Sequence, residues 1–138
     1  MYIVKIKAAK SKISGKGVFA LEKIKKSQIV WLYDPKQDLT FTQAEFEEFD
    51  DKAKEWFYHS AYLSPWTGLW ICPPLGDPSN FTNHSKDNNT TVVYDPKISS
   101  EPYFIANRDI KIGEEITNNY HEFDEITRQV DPDWAKVK

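Results

Sequence analysis

The chain reads as mostly β, folded in several small sheets with one helical segment. Three observations predict this. Short stretches rich in β-branched and aromatic residues recur along the chain, separated by Gly, Pro, Asn and Asp. Only residues 42–57 carry an apolar period near 3.6. A polar segment, residues 80–89, lies between two apolar runs and has no period at all. A chain of 138 residues is expected to form a single domain, residues 1–138, with a core that needs no crosslinks.

Taken in order, residues 2–8 alternate in side-chain character and predict the first strand. Residues 10–17 form a turn-rich connector. Its Gly15 and Gly17 can adopt backbone angles closed to other residues and let a ligand approach the main chain. Strands are expected at 18–21 and 28–33, the latter ended by Asp34-Pro35. Thr42-Gln43-Ala44-Glu45 has the form of a capping box. Phe46, Phe49, Ala53 and Trp56 continue at spacings of three to four, so the pattern predicts one helix over 42–57. Residues 69–72 read as a short strand stopped by Pro73-Pro74. Residues 90–94 and 103–107 read as paired strands, and 115–118 as a last strand leading to Tyr120. Residues 124–138 read as a short polar tail with Trp134 embedded.

Composition narrows the function. Cys72 is the only cysteine, which excludes an internal disulfide and a Cys-rich zinc site. His121-Glu122-Phe123-Asp124-Glu125 lacks the second histidine of a zinc-hydrolase motif, and no metal is expected. No apolar run suits a signal peptide or a membrane span, so the chain is expected to be intracellular and soluble. The net charge of −3 argues against sequence-independent nucleic-acid binding. It hides an asymmetry: residues 1–28 hold eight lysines against Glu22, whereas 38–55 and 113–133 hold seven acids each. An acidic rim of that kind attracts a lysine-rich peptide. Five Trp, seven Tyr and eight Phe exceed what a small core needs, so some are expected to line a site.

Three motifs carry chemistry. They are Gly15-Lys16-Gly17-Val18-Phe19-Ala20, the segment containing Asn83-His84-Ser85-Lys86-Asp87-Asn88-Asn89, and Ile112-Gly113-Glu114-Glu115-Ile116-Thr117-Asn118-Asn119-Tyr120. Ordering the polar middle segment costs chain entropy, which hydrogen bonds or a ligand must offset. In this order and spacing the three resemble the motifs of the SET-domain protein-lysine methyltransferases, over roughly residues 2–123. The wording is closest in type to the minimal SET proteins of viruses and bacteria. The sequence departs from the family pattern at Asn80, where many members have arginine, at Lys86 and Asn88, where they have cysteine and proline, and at Asn119, where an acid is frequent.

The resemblance implies the SET β-fold with a C-terminal pseudoknot and an inserted helix at 42–57. It implies S-adenosylmethionine as cofactor and a lysine of a basic protein, such as a histone tail, as substrate, with no direct role for nucleic acid or membrane. By the same resemblance Tyr120 is the catalytic tyrosine. Gly15, Lys16, Gly17, Asn83 and His84 bind the cofactor. Trp56 lies near it, and Trp134 or Phe123 covers the adenine in place of the zinc-binding tail that many members carry. Tyr58, Tyr62 and Phe123 line the lysine channel. A homodimer is implied as well. The alternative at this point is a SET-fold module that binds a peptide or partner without catalysis.

Overall fold

The computed structural model describes residues 1–130 and Pro132. Its strands form three small sheets. In the first, β1 (Ile6–Lys10) and β2 (Lys16–Ala20) make an antiparallel hairpin with Lys10 opposite Lys16. Gly15, at φ +45°, closes the turn between them. The last strand, β10 (Glu115–Asn118), then pairs antiparallel with β2 and parallel with β7 (Asn83–His84), giving the order β1-β2-β10-β7. Chain from the C-terminal motif is thus inserted between the N-terminal hairpin and the middle segment. This insertion brings the three sequence motifs onto one sheet.

The second sheet has the order β3-β9-β8, from β3 (Ile29–Trp31), β9 (Tyr103–Ala106) and β8 (Thr90–Val93). The third has the order β4-β6-β5, from β4 (Leu39–Phe41), β6 (Trp70–Cys72) and β5 (Tyr62–Leu63). The main core lies between the sheets, where Val18, Ile24, Ile71, Ile110 and Ile116 are fully buried. Each such aliphatic side chain stabilises the fold by about 1.5–3 kcal/mol relative to exposure.

The expected single helix over 42–57 is two helices, α1 (Gln43–Glu48) and α2 (Asp51–Ser60). Thr42 caps α1 by accepting from Glu45 N–H at 3.1 Å. Asp50 caps α2 by accepting from Ala53 N–H at 2.8 Å. Phe49 between them is extended, at φ −69° and ψ 153°. The second cap competes with continuation of the first helix and wins, at a typical value of ~1 kcal/mol per cap. The break turns Phe46, Phe49 and Phe57 onto Phe41 and Trp70, a satellite aromatic core. Trp56 stays outside it.

The tail also differs from expectation, because it opens with a helix, α3 (Glu125–Val130). The Asp124 carboxylate accepts from Ile126 and Thr127 N–H at 3.3 and 3.2 Å, and from Leu63 N–H of β5 at 3.1 Å. One side chain thus caps α3 and docks it against the third sheet. Among the described residues, no helix is long and apolar enough to cross a membrane.

Candidate active site

The site is organised by three consecutive residues, Thr82-Asn83-His84. Successive side chains of an extended chain point to opposite faces. Asn83 therefore faces the N-terminal hairpin, while Thr82 and His84 face Tyr120.

On the hairpin side, the Asn83 amide nitrogen donates to Ser14 O at 3.1 Å, to Lys16 O at 3.0 Å and to Glu115 Oε1 at 2.9 Å. These bonds fix which way the amide points, since the oxygen cannot face the same carbonyls. Asn83 Oδ1 accepts nothing among the described residues. Lys16 contributes its main chain, while its ammonium lies 5.3 Å from the centre of the Phe81 ring. Gly17 leaves room for the Glu115 carboxylate, because a Cβ there would lie 2.1 Å from Glu115 Oε1 and displace it. Gly15 is open, with nothing within 4 Å of a Cβ placed on it.

On the other side, Tyr120 N–H donates to His84 Nδ1 at 3.1 Å, and the Tyr120 hydroxyl donates to the Thr82 carbonyl in a short bond. The His84 ring is buried and meets the Tyr120 ring edge-on at 5.4 Å. Its Nδ1 must be unprotonated to accept, so the imidazole works as a brace for the tyrosine backbone. Asn119 accepts from His121 N–H at 3.1 Å and so caps the short 3-10 turn that holds Tyr120. An aspartate at this position would accept the same bond. Burial, with the Asp124 charge adding to it, pushes the Tyr120 phenol up to about 12.

Tyr120 opens onto a cavity of about 370 Å³ whose aromatic wall includes Tyr58, Tyr62, Phe104, Tyr120 and Phe123. Phe123 joins the other rings of this wall, with ring centroids 4.8 Å from Phe104, 5.2 Å from Tyr62 and 5.6 Å from Tyr120. The polar side includes Tyr2, Ser79, Asn80 and Thr82. Tyr2 and Thr82 share a hydroxyl–hydroxyl bond of 2.7 Å. Two buried oxygens on this boundary, Tyr62 Oη and Asn80 Oδ1, have no hydrogen-bond partner among the described residues. Burial, reinforced by the carboxylates of Glu101 and Asp38, drives the Tyr62 phenol well above its ordinary value.

The structure thus brings together Gly15, Lys16, Gly17, Asn83, His84 and Tyr120, with Tyr58, Tyr62 and Phe123 in the cavity wall. Trp56, expected near the cofactor, is 38% exposed on α2 and lines a groove with Ala53, Phe57 and His59, of which His59 also borders the aromatic cavity. Trp134 lies outside the described residues. Sequence reasoning missed Tyr2, Thr82 and Phe104, whose roles depend on contacts between distant segments. It also missed Ser11 and Glu115 beneath the hairpin. Among the described residues no cluster of His, Cys, Asp and Glu suits a metal ion.

A glycine hairpin, an Asn-His strand and a neutral, partly buried tyrosine over an aromatic cavity define the SET class of methyltransferases. The chain belongs to the SET domain family, whose model matches residues 15–121, and is by that membership a protein-lysine methyltransferase. A Plasmodium falciparum protein described as a candidate histone methyltransferase is similar at 25% identity. The match has a TM-score of 0.56 and covers 83% of this chain and 90% of that one. A humanized mutant of the Chaetomium thermophilum Polycomb Repressive Complex 2, bound to the inhibitor GSK126, is similar at 25% identity with a TM-score of 0.65. That match covers 91% of this chain but 16% of the Polycomb chain. The apo complex in an autoinhibited state gives a TM-score of 0.67 at 24% identity, over 92% of this chain and 17% of that chain, and shows the fold alone. No curated protein sequence matches the chain.

Proposed function

We propose that this chain transfers a methyl group from S-adenosylmethionine to the side-chain amine of a lysine in a basic protein, with histones the first substrates to test. One observation carries the reading: residues 82–84 serve a polar cradle and an aromatic cavity at once, with Tyr120 held against them.

The cradle suits the cofactor. The Asn83 nitrogen is committed to the hairpin and to Glu115, so its Oδ1 is offered as an acceptor, the complement of an ammonium group. The open face of Gly15 leaves the hairpin main chain approachable. The cofactor's sulfonium supplies a methyl already electrophilic enough to transfer. The chain's own residues have the remaining tasks of alignment, water exclusion and admitting an uncharged amine.

A free lysine has a pKa of roughly 10.4, and its ammonium has no lone pair with which to attack. The rings of Tyr58, Tyr62, Phe104 and Phe123 attract the incoming cation and also desolvate it, which lowers that pKa. Tyr120, pushed up to about 12, keeps its proton and donates it in a hydrogen bond to the Thr82 carbonyl. A rise in rate between pH 7 and 10 therefore belongs to the substrate amine.

The test is transfer of labelled methyl from S-adenosylmethionine to a panel of basic proteins including histones, with Tyr120→Phe and Asn83→Ala alongside. Label on a lysine, reduced about 100-fold or more in both variants, is the expected result. Absence of both label and cofactor binding overturns the reading and leaves a module that binds peptide without catalysis. Sedimentation of the purified chain tests the homodimer that the family resemblance implies.

A further inference from the structure

We infer that Glu115 is a positioning residue for the cofactor, acting through Asn83 rather than by touching substrate. This rests on the reading of Asn83 given above. Glu115 and Glu114 are adjacent and chemically identical, yet the fold gives them different work. Glu114 faces outward, where it pairs with Arg108 and accepts from Lys111 N–H at 2.9 Å. Glu115 opens β10, opposite Phe19 of β2, while Thr117 stands opposite Asn83 of β7. Side chains two residues apart along a strand share a face, so Glu115 shares its face with Gly17 on one neighbour and Asn83 on the other.

Its carboxylate fills that diagonal. Ser11 Oγ donates to the two carboxylate oxygens, at 2.9 Å each, and Asn83 Nδ2 donates to Oε1 at 2.9 Å. Ser11 Oγ in turn accepts from Ile13 N–H at 2.9 Å. The missing side chain of Gly17 makes the slot, since a Cβ there would stand 2.1 Å from Oε1. The glycine therefore admits the carboxylate in this position, and a Cβ there would displace it. An acceptor-only group on that side adds to the two carbonyls in turning the Asn83 nitrogen inward and its oxygen outward. Together with the Ser14 and Lys16 carbonyls, Glu115 thereby holds the amide in the orientation that takes an ammonium, and it ties Asn83 to the turn carrying Gly15.

Calorimetry with two ligands tests this. S-adenosylhomocysteine carries the amino-acid arm, and methylthioadenosine lacks it. Glu115→Ala is expected to weaken S-adenosylhomocysteine about tenfold, the size of one charge-assisted hydrogen bond, and methylthioadenosine less than threefold. Glu115→Gln retains an acceptor oxygen and is expected to restore most of the loss. Ser11→Ala, a milder change with the same direction, decides the matter if Glu115→Ala does not fold. Equal loss of both ligands, or no loss, overturns the inference. Failure of the wild type to bind S-adenosylhomocysteine sinks the underlying cofactor reading instead.

Discussion

The two faces of residues 82–84 are built on different physics. The hairpin face is a web of hydrogen bonds among Ser11, Lys16, Asn83 and Glu115, partly open to solvent. The Tyr120 face is a packed aromatic wall continuous with the main core through Tyr62, Phe104 and Phe123. Polar contacts near solvent exchange readily with water and contribute little net stability each. Aromatic burial is large and is shared with the fold. Binding on the first face is therefore separable from stability, whereas channel shape on the second is not. On the function proposed above, mutation can tune the cradle for the cofactor but tends to unfold the channel.

The largest effect that would test this contrast comes from Phe123→Ala. Phe123 touches three other rings and is 6% exposed. Its loss is expected to destabilise the protein by about 3–5 kcal/mol, a large part of the stability of a small domain. Urea denaturation measures it. Glu115→Gln, on the other face, is expected to change the same midpoint by less than a third as much. Equal losses from the two changes would erase the distinction.

Tyr62→Phe sharpens the contrast, because its effects on stability and activity have opposite signs. The Tyr62 hydroxyl is buried without a hydrogen-bond partner among the described residues, and removing it is expected to stabilise the fold by about 1 kcal/mol at neutral pH. The sign with pH follows from linkage. The folded phenol is held well above its ordinary value by burial and nearby carboxylates, whereas the unfolded one ionises near pH 10. Above pH 10 the unfolded state binds fewer protons, so wild-type stability falls as pH rises toward the folded value. The phenylalanine variant escapes that loss, and the gap in melting temperature should widen above pH 10. Its KM for peptide is expected to rise severalfold if the hydroxyl meets the incoming amine. Melting curves at pH 7 and 10.5, with peptide kinetics, check all three.

Much of the site was legible in the sequence because its motifs are short and local. The strand 115–118 and the pair Asn83-His84 lie where the sequence places them. What was not legible depends on long-range pairing. β7 and β5 are two residues each, too short to show a period, and exist only because a partner strand adopts them. The break at Phe49 was hidden because its spacing from Phe46 continues a helical stripe, and Asp50 is a cap only once the chain turns. α3 was missed because its cap, Asp124, gains its role by also holding Leu63. Alternation says that Glu114 and Glu115 face opposite ways. Only the neighbouring strands decide which one faces in.

Trp56 gives the smallest expected effect and bears on the same boundary. Family resemblance set it beside the cofactor, but the chain turns at Phe49 and Asp50, and α2 carries it outward. Its ring meets Phe57 at 5.1 Å and borders a groove with Asp50, Lys52 and Glu55, none of which belongs to either face of residues 82–84. Trp56→Ala is therefore expected to change cofactor affinity and turnover by less than twofold. Calorimetry and initial rates measure both. A loss of tenfold or more would mean that the groove along α2 joins the site during turnover, and the division into two faces would need a third.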